Sequence, residues 1–384
     1  MTIIKNALIH DAVNKKPYRA DIAFSNGKIT AIGKDIKAKK SDEVIDATGL
    51  SVYPGFVEAH CHTGMNITGA GPEGSDINER TDTITPHIRA IDALNPTDET
   101  IVTARNAGVT TICTGPGSAN VVGGTFAVIK TYGNRIDDMC IIKEAAMKCA
   151  FGQNPKGVYK DKSVGTRMMN AARLRELLFK AKEYDRKVKA AGDDPSKLPS
   201  FDMKLNAMLP VVRGEMPLKA HAHQANDIFT AIRIAREFGV KLTLEHVTEG
   251  HLIADALAAE GYPVVVGPSL GNPTKLETRY KSWKTPGILQ RAGCTVSITT
   301  DAGVTPQDFL PILAGLAVKA GMDPFEALKA ITINAAKHIG ADKRVGSLEK
   351  GKDADIVVTD GSPFEISTKV KRVFIDGKEV FKAE

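Results

Sequence analysis

Four stretches of this chain end in histidine or aspartate just where an apolar run gives out: His60-Cys61-His62, His221-Ala222-His223, His246 and Asp301. Imidazole and carboxylate groups are the ligands of zinc and related divalent ions. Along a strand, residues i and i+2 project to the same side, so each His-x-His pair aims two imidazoles at one point. Alone, either pair is as compatible with satisfied core histidines as with a metal pincer. Four strand ends that all present such groups are hard to assign to packing. The chemistry implied is that of a metal-activated water: bound zinc brings the pKa of its water to about 7, and a nearby carboxylate can move the proton.

The elements needed to position these groups are legible in outline. Short apolar segments over 53–62, 110–114, 126–131, 139–149, 218–223, 241–246, 264–266 and 295–300 read as strands. They alternate with helical segments over 98–107, 166–190, 226–238, 253–259, 311–320 and 324–339. In the last, Asp323 stands as N-cap ahead of Pro324 at the first helical position. Strands separated by helices imply parallel βαβ units. The set fits a (β/α)8 TIM barrel, whose active site forms at the C-terminal strand ends; an open doubly wound sheet fits the periodicity almost as well. The first and last stretches differ, being short alternating strands with the hairpin turns Asn26-Gly27 and Asp376-Gly377. They are expected to form one small composite β-sandwich domain, giving 1–52 and 343–384 around a barrel over 53–342. Residues 64–97, Gly-rich and then Asp-, Thr- and Pro-rich, read as a long excursion from the first barrel strand, and such loops are often functional.

Composition narrows the function classes. The 384 residues are 42% hydrophobic and 25% charged, with aromatics only 5%, so a large aliphatic core is expected. Net charge is 51 − 45 = +6, spread without a basic run, which argues against nucleic acid and polybasic membrane contact. Lys34, Lys37, Lys39 and Lys40 read as an exposed turn. Five cysteines without a CxxC, namely Cys61, Cys113, Cys140, Cys149 and Cys294, read as buried free thiols of a reducing compartment. With no signal-peptide pattern after Met1 and no apolar run long enough to span a bilayer, a cytoplasmic protein is the expectation. No nucleotide-binding glycine fingerprint occurs between a strand and a helix.

The motifs Pro54-Gly-Phe-Val-Glu-Ala-His-Cys-His62, Thr243-Leu-Glu-His246, Thr299-Thr-Asp301 and Gly346-Ser-Leu-Glu-Lys-Gly-Lys-Asp-Ala-Asp-Ile-Val-Val358 occur in this order, after Gly27-Lys-Ile-Thr-Ala-Ile-Gly33 and Val44-Ile-Asp-Ala-Thr-Gly49. In this combination the chain resembles the amidohydrolase superfamily, and within it the imidazolonepropionase-related group. The resemblance implies a hydrolase of C–N bonds dependent on one or two divalent ions, with zinc expected and manganese or iron as alternatives. It implies His60 and His62 as first-strand ligands, His221 rather than His223 as the fifth-strand ligand, His246 on the sixth strand, and Asp301 as ligand and proton shuttle. His246 could also polarise the scissile group. Many binuclear members carry a carbamylated lysine on the fourth strand; Lys148 is the candidate, with Lys143 and Lys130 as rivals.

Aromatic-base deaminases of the superfamily place a glutamate three residues after the fifth-strand histidine, where this chain has Gln224, or Asn226 counted from His223. That departure favours hydrolysis of an amide in a small molecule: an N-acyl amino acid, a dipeptide or a cyclic amide. The alternatives are a deaminase or an imidazolonepropionase-like ring opener, and a non-catalytic barrel that keeps the metal site. His223, Gln224, Asn154 and Arg167 are expected to hold substrate. The loop Gly115-Pro-Gly-Ser-Ala-Asn120 offers backbone N–H groups to an oxyanion, though such a sequence also suits an ordinary loop. The partner is a small molecule, and homo-oligomerisation is compatible with the sequence.

Overall fold

The computed structural model describes residues 1–66 and 71–384, so residues 67–70 of the expected excursion lie outside the described residues. The first strands are β1 (Thr2–Ile9), β2 (Tyr18–Ser25), β3 (Lys28–Gly33), β4 (Glu43–Asp46) and β5 (Ser51–Pro54). There follow β6 (Phe56–Cys61), β7 (Val109–Thr114), β8 (Val122–Lys130), β9 (Cys140–Ala150), β10 (Leu218–Ala222), β11 (Leu242–His246), β12 (Val264–Val266) and β13 (Val296–Ile298). The last are β14 (Ile356–Thr359), β15 (Val370–Ile375) and β16 (Lys378–Lys382). They make two 8-stranded sheets.

One sheet joins both ends of the chain in the order β16-β15-β14-β5-β1-β2-β3, with β4 also against β1. Its tight turns are the expected ones. Asn26 and Gly27 have φ of 51° and 77°, and Asp376 and Gly377 have 49° and 71°, the left-handed pair of a two-residue hairpin. Ile4, Ile22, Phe24, Ile29, Val52, Ile356, Val358 and Phe374 pack together as the apolar face of this sheet.

The second sheet runs β6 through β13 in order and nearly closes into a barrel. Strands β6, β7, β8, β10 and β11 are buried along their whole length, as continuous apolar strands covered on both faces are. The seam between β13 and β6 is stitched by side chains rather than by a ladder. The Thr299 hydroxyl donates to the His60 carbonyl at 2.6 Å, and the Thr300 amide and hydroxyl donate to the Glu58 carboxylate at 2.9 and 2.6 Å. Burial pushes the Glu58 pKa up to about 7, even though these donors favour its anion.

Three expectations need correction. Parallel βαβ units do not run throughout: β8 is antiparallel to both β7 and β9. Only residues 115–121 separate β7 from β8, too few for the crossover that parallel neighbours require. The helix expected over 324–339 is broken into Pro324–Ala330 and Ile333–His338. The Ile331 carbonyl turns out of the helix to accept the Val57 amide at 2.8 Å, and the β-branched run Ile331-Thr332-Ile333 gives little resistance to a break. All five cysteines are free, but Cys140 and Cys294 are only half-buried.

Because β8 runs backwards, its last residue, Lys130, lies at the end of the barrel away from the histidines. There its ammonium is buried and lies 2.5 Å from Asp355, 3.0 Å from Asp353 and 3.3 Å from Asp376. Burial opposes the charge, but the carboxylates outweigh it and raise the Lys130 pKa. This latch ties the barrel to the sheet built from the chain ends. Lys130→Met should lower the unfolding free energy in urea by about 3–5 kcal/mol, as stranding one side of a buried ion pair does. A loss under about 1 kcal/mol, the scale of an exposed pair, would refute the latch.

Candidate active site

The catalytic candidates collect at one rim of the barrel. Lys148, in β9, and His221, in β10, come from fully buried stretches, as do His60 in β6 and His246 at the end of β11. His62, His223 and Asp301 follow the ends of β6, β10 and β13. Two donor groups result, His60 with His62 and Asp301, and His221 with His223 and His246, each with its ligand atoms within 4.8 Å of one another. They adjoin, since the His60 and His246 rings lie 5.0 Å apart.

Three of the imidazoles are held by the far nitrogen. His62 Nδ1 lies 2.6 Å from the Gly115 carbonyl and His246 Nδ1 lies 2.8 Å from that of Gly267. These bonds fix the tautomer and leave Nε2 for the cluster. A Cβ on Gly115 would sit 2.5 Å from the Phe126 ring, so only glycine fits where that carbonyl approaches. His223 Nδ1 bonds the Thr248 hydroxyl at 2.7 Å. Burial, with added repulsion from neighbouring Lys148, His246 and His221 respectively, holds His60, His221 and His223 well below the usual histidine pKa. They are neutral near pH 7, with lone pairs available to a cation. Burial also penalises the Asp301 anion, but His246 and His62 more than compensate and keep it ionised. The buried Asp301 Oδ1 and His221 Nδ1 have no hydrogen-bond partner among the described residues. Neutral imidazoles around an ionised, under-bonded carboxylate form a set of donors that fits a divalent cation.

The backbone here is strained. His246, Val247 and Asp301 have φ of 76°, 44° and 51°, a region that costs non-glycine residues about 1–3 kcal/mol each. Such strain is retained where the surroundings fix the conformation, typically at functional sites.

Of the candidate lysines, Lys148 lies in the cluster, 3.3 Å from His60 Nε2, and burial pulls its pKa down to about 8. Lys143 is exposed against Asp137, and Lys130 belongs to the latch. Asn154 borders the cluster. It donates to the Ser118 hydroxyl at 2.9 Å and lies 3.5 Å from His221 Nε2. Arg167 and Gln224 are not brought to the histidines. The Arg167 guanidinium pairs with Asp227 at 3.0 Å and donates to the Gln224 carbonyl. In the 115–120 loop, the Gly117 and Ala119 amides donate to the Ile77 carbonyl and the Asn78 side chain, so the excursion already uses them.

Several participants carried no role in the sequence reading. Beneath the histidines, the Glu245 carboxylate lies 3.2 Å from His60 Nδ1, 3.0 Å from Lys219 Nζ and 2.8 Å from His338 Nε2, with every partner buried. The sequence did hold a signal. Glu58 and Lys219 each stand two residues before a site histidine in an apolar strand, so they face the same side one layer deeper. Glu277, buried beside His221 and His223 at 3.7 and 3.8 Å, comes from the loop after β12 and carried no such pattern. Above the cluster opens a cavity of about 310 Å³, lined by His62, His221, His223 and Asp301, with Lys275 and Lys281 among its walls. A larger cavity of about 480 Å³ lies elsewhere, and several of its charges pair with one another, Lys204 with Asp82 and Lys180 with Glu176.

Residues 51–380 match the model of the amidohydrolase family, and the chain belongs to that family. A crystal structure of an amidohydrolase from Thermotoga maritima superposes over the whole of both chains with a TM-score of 0.96 and 40% identity. An imidazolonepropionase from Treponema denticola is 25% identical over 94% of this chain and 91% of its own length. Amidohydrolase tasK from Hapsidospora irregularis is 27% identical over 99% of this chain, which spans only 43% of that protein.

The buried Glu245–Lys219 pair yields a test. Glu245→Leu and Lys219→Met should each destabilise the fold by about 3–5 kcal/mol by stranding the other charge, whereas the double variant should lose clearly less than their sum. Additivity within about 0.5 kcal/mol in urea unfolding, the mark of independent sites, would show that they do not act as a pair.

Proposed function

We propose that this chain is a metal-dependent hydrolase that cleaves a C–N amide bond in a small molecule: an N-acyl amino acid, a dipeptide or a cyclic amide. The observation that carries this reading is the meeting of the two histidine-rich donor groups, with ionised Asp301 in one and Lys148 beside it. His60, His62 and Asp301 would hold one divalent ion and His221 with His246 a second, a carbamate on Lys148 serving both. Zinc suits these ligands, and manganese or iron would also be accepted. When bound, such an ion lowers the pKa of a coordinated water and polarises the scissile carbonyl.

The chain's own groups do the remainder. Asp301, ionised and under-bonded at Oδ1, takes the proton of the attacking water and returns it to the leaving nitrogen. With a single ion bound, His246, fixed at Nδ1 by the Gly267 carbonyl, would instead be free to direct Nε2 toward the scissile group. His223 and Asn154 border the substrate. The imidazolonepropionase relatives favour a second reading, opening of a cyclic amide or amidine ring. Deamination of an aromatic base is disfavoured, because Gln224 lacks an acidic proton and its carbonyl accepts from Arg167.

Elemental analysis of protein purified without chelator should give one or two divalent ions per chain, and His60→Ala with His62→Ala should remove them together with turnover of an amide panel. Unchanged metal content in that variant would refute the ligand assignment. Ammonia release would point to deamination, and a metal-loaded protein inert on the whole panel would point to a non-catalytic barrel. Lys148→Ala should lower the metal content, and intact-mass analysis at neutral pH should show bound CO2 on the parent chain but not on this variant. A mass without CO2, at full metal occupancy, would eliminate the carbamate.

A further inference from the structure

The cavity over the histidines is walled in part by the segment that follows β12, and that segment brings two lysines into it. They differ in their partners. Lys275 Nζ lies 2.7 Å from Glu277 Oε1 and 2.8 Å from Asn154 Oδ1, so its charge is already answered. Lys281 Nζ donates to the Leu270 carbonyl at 3.1 Å and has no carboxylate partner among the described residues. The four residues outside the description, Ile67-Thr-Gly-Ala70, bring no charged side chain. Asp301, the acid in the cavity lining, stands with Oδ1 3.3 Å from His62 and 3.6 Å from His60 and makes no ion pair with Lys281. Arg167, a cation expected to hold substrate, is committed to Asp227 and Gln224.

Lys281 is half-buried; desolvation lowers its pKa, and the Asp301 carboxylate, with which it forms no ion pair, offsets this only in part. A partly desolvated ammonium with no carboxylate in ion-pair contact gains most from an anion brought by a ligand, since charge-assisted hydrogen bonds are the strong ones. It also shares one cavity with His62 and Asp301. A ligand bonded at both places would therefore carry its anion a short distance from its scissile group.

We propose that Lys281 binds a carboxylate of the substrate, so that the enzyme selects amides bearing a free carboxylate, as N-acyl amino acids and dipeptides do, over neutral amides. This rests on the hydrolase reading of the same cavity. It places specificity on the β12 loop rather than on the helix that begins at Arg167.

The test is a panel of N-acetyl-L-amino acids, each paired with its neutral carboxamide, turned over by the metal-loaded enzyme. The parent chain should favour the acids in kcat/KM by about 10-fold or more, the worth of one charge-assisted hydrogen bond. Lys281→Met should bring the acid-to-amide ratio close to one, mainly through KM of the acids, and Lys281→Arg should retain much of it. Equal turnover of acids and amides by the parent chain, or a preference that survives Lys281→Met, would overturn the assignment while leaving the hydrolase reading standing. A panel in which no member is hydrolysed would overturn the hydrolase reading, and this one with it. Thermal melting of both variants near the parent value would confirm that a binding contact, not the fold, has been removed.

Discussion

A single buried carboxylate holds the rim of the barrel in register. Glu245 has no access to water, so its charge survives only because Lys219, His338 and His60 surround it. Burial alone would neutralise it; Lys219 and His338 instead hold its pKa well below the usual carboxylate range. The same group presents an acceptor to His60 Nδ1, which orients the ring so that Nε2 faces Lys148 and Asp301. Lys219 in turn donates to the Ala59 carbonyl at 2.9 Å, which binds β10 to β6 across the barrel interior. One ionised side chain thus links β6, β10, β11 and the helix ending at His338. The histidines above it are placed by a charge network as much as by apolar packing.

Much of this was legible in the sequence, for identifiable reasons. The His-x-His pairs, His246 and Asp301 stand out because a strand alternates and because a polar residue ending an apolar run is conspicuous. The two hairpin turns were legible because only a few residues tolerate positive φ in succession. The direction of β8 was less visible, because an apolar run does not encode its own direction; the shortness of the 115–121 link was the usable clue. The break at Ile331 was hidden because its cause is a carbonyl bonded to a strand far away in sequence. Glu277 and Lys281 were missed for a similar reason, since they lie in a loop whose path no periodicity describes. Arg167 looked like a substrate ligand because it follows the Lys148 strand, but Asp227 on a neighbouring helix lies within reach of its guanidinium.

The division between rim and loops also bears on what kinship can tell. Family membership follows from residues spread along the whole barrel, and the Thermotoga maritima structure repeats the architecture almost without deviation. The side chains that line the cavity above that rim, such as Lys275 and Lys281, come from loops rather than from the barrel strands. The strained backbone at His246, Val247 and Asp301 belongs to the rim. It is tolerable because Gly267 and Thr299, whose hydroxyl accepts the Asp301 amide at 2.9 Å, hold the adjacent groups in place.

The sheet shared by the two chain ends has a consequence for synthesis on the ribosome. Strand β5 lies between β1 and β14, so the N-terminal strands emerge first yet cannot complete their pairing until Ile356–Thr359 has left the exit tunnel. Throughout that interval β5 presents an open edge, the kind of surface that recruits stray strands from other chains. Its early partner covers only part of it, since β1 pairs with β5 at Leu8 and Ile9 alone. The barrel, whose strands pair in the order they are made, can assemble meanwhile. β14 then arrives against the waiting β5, and β15 and β16, made after it, close its far side, so the edge of β5 is the one that stays open longest.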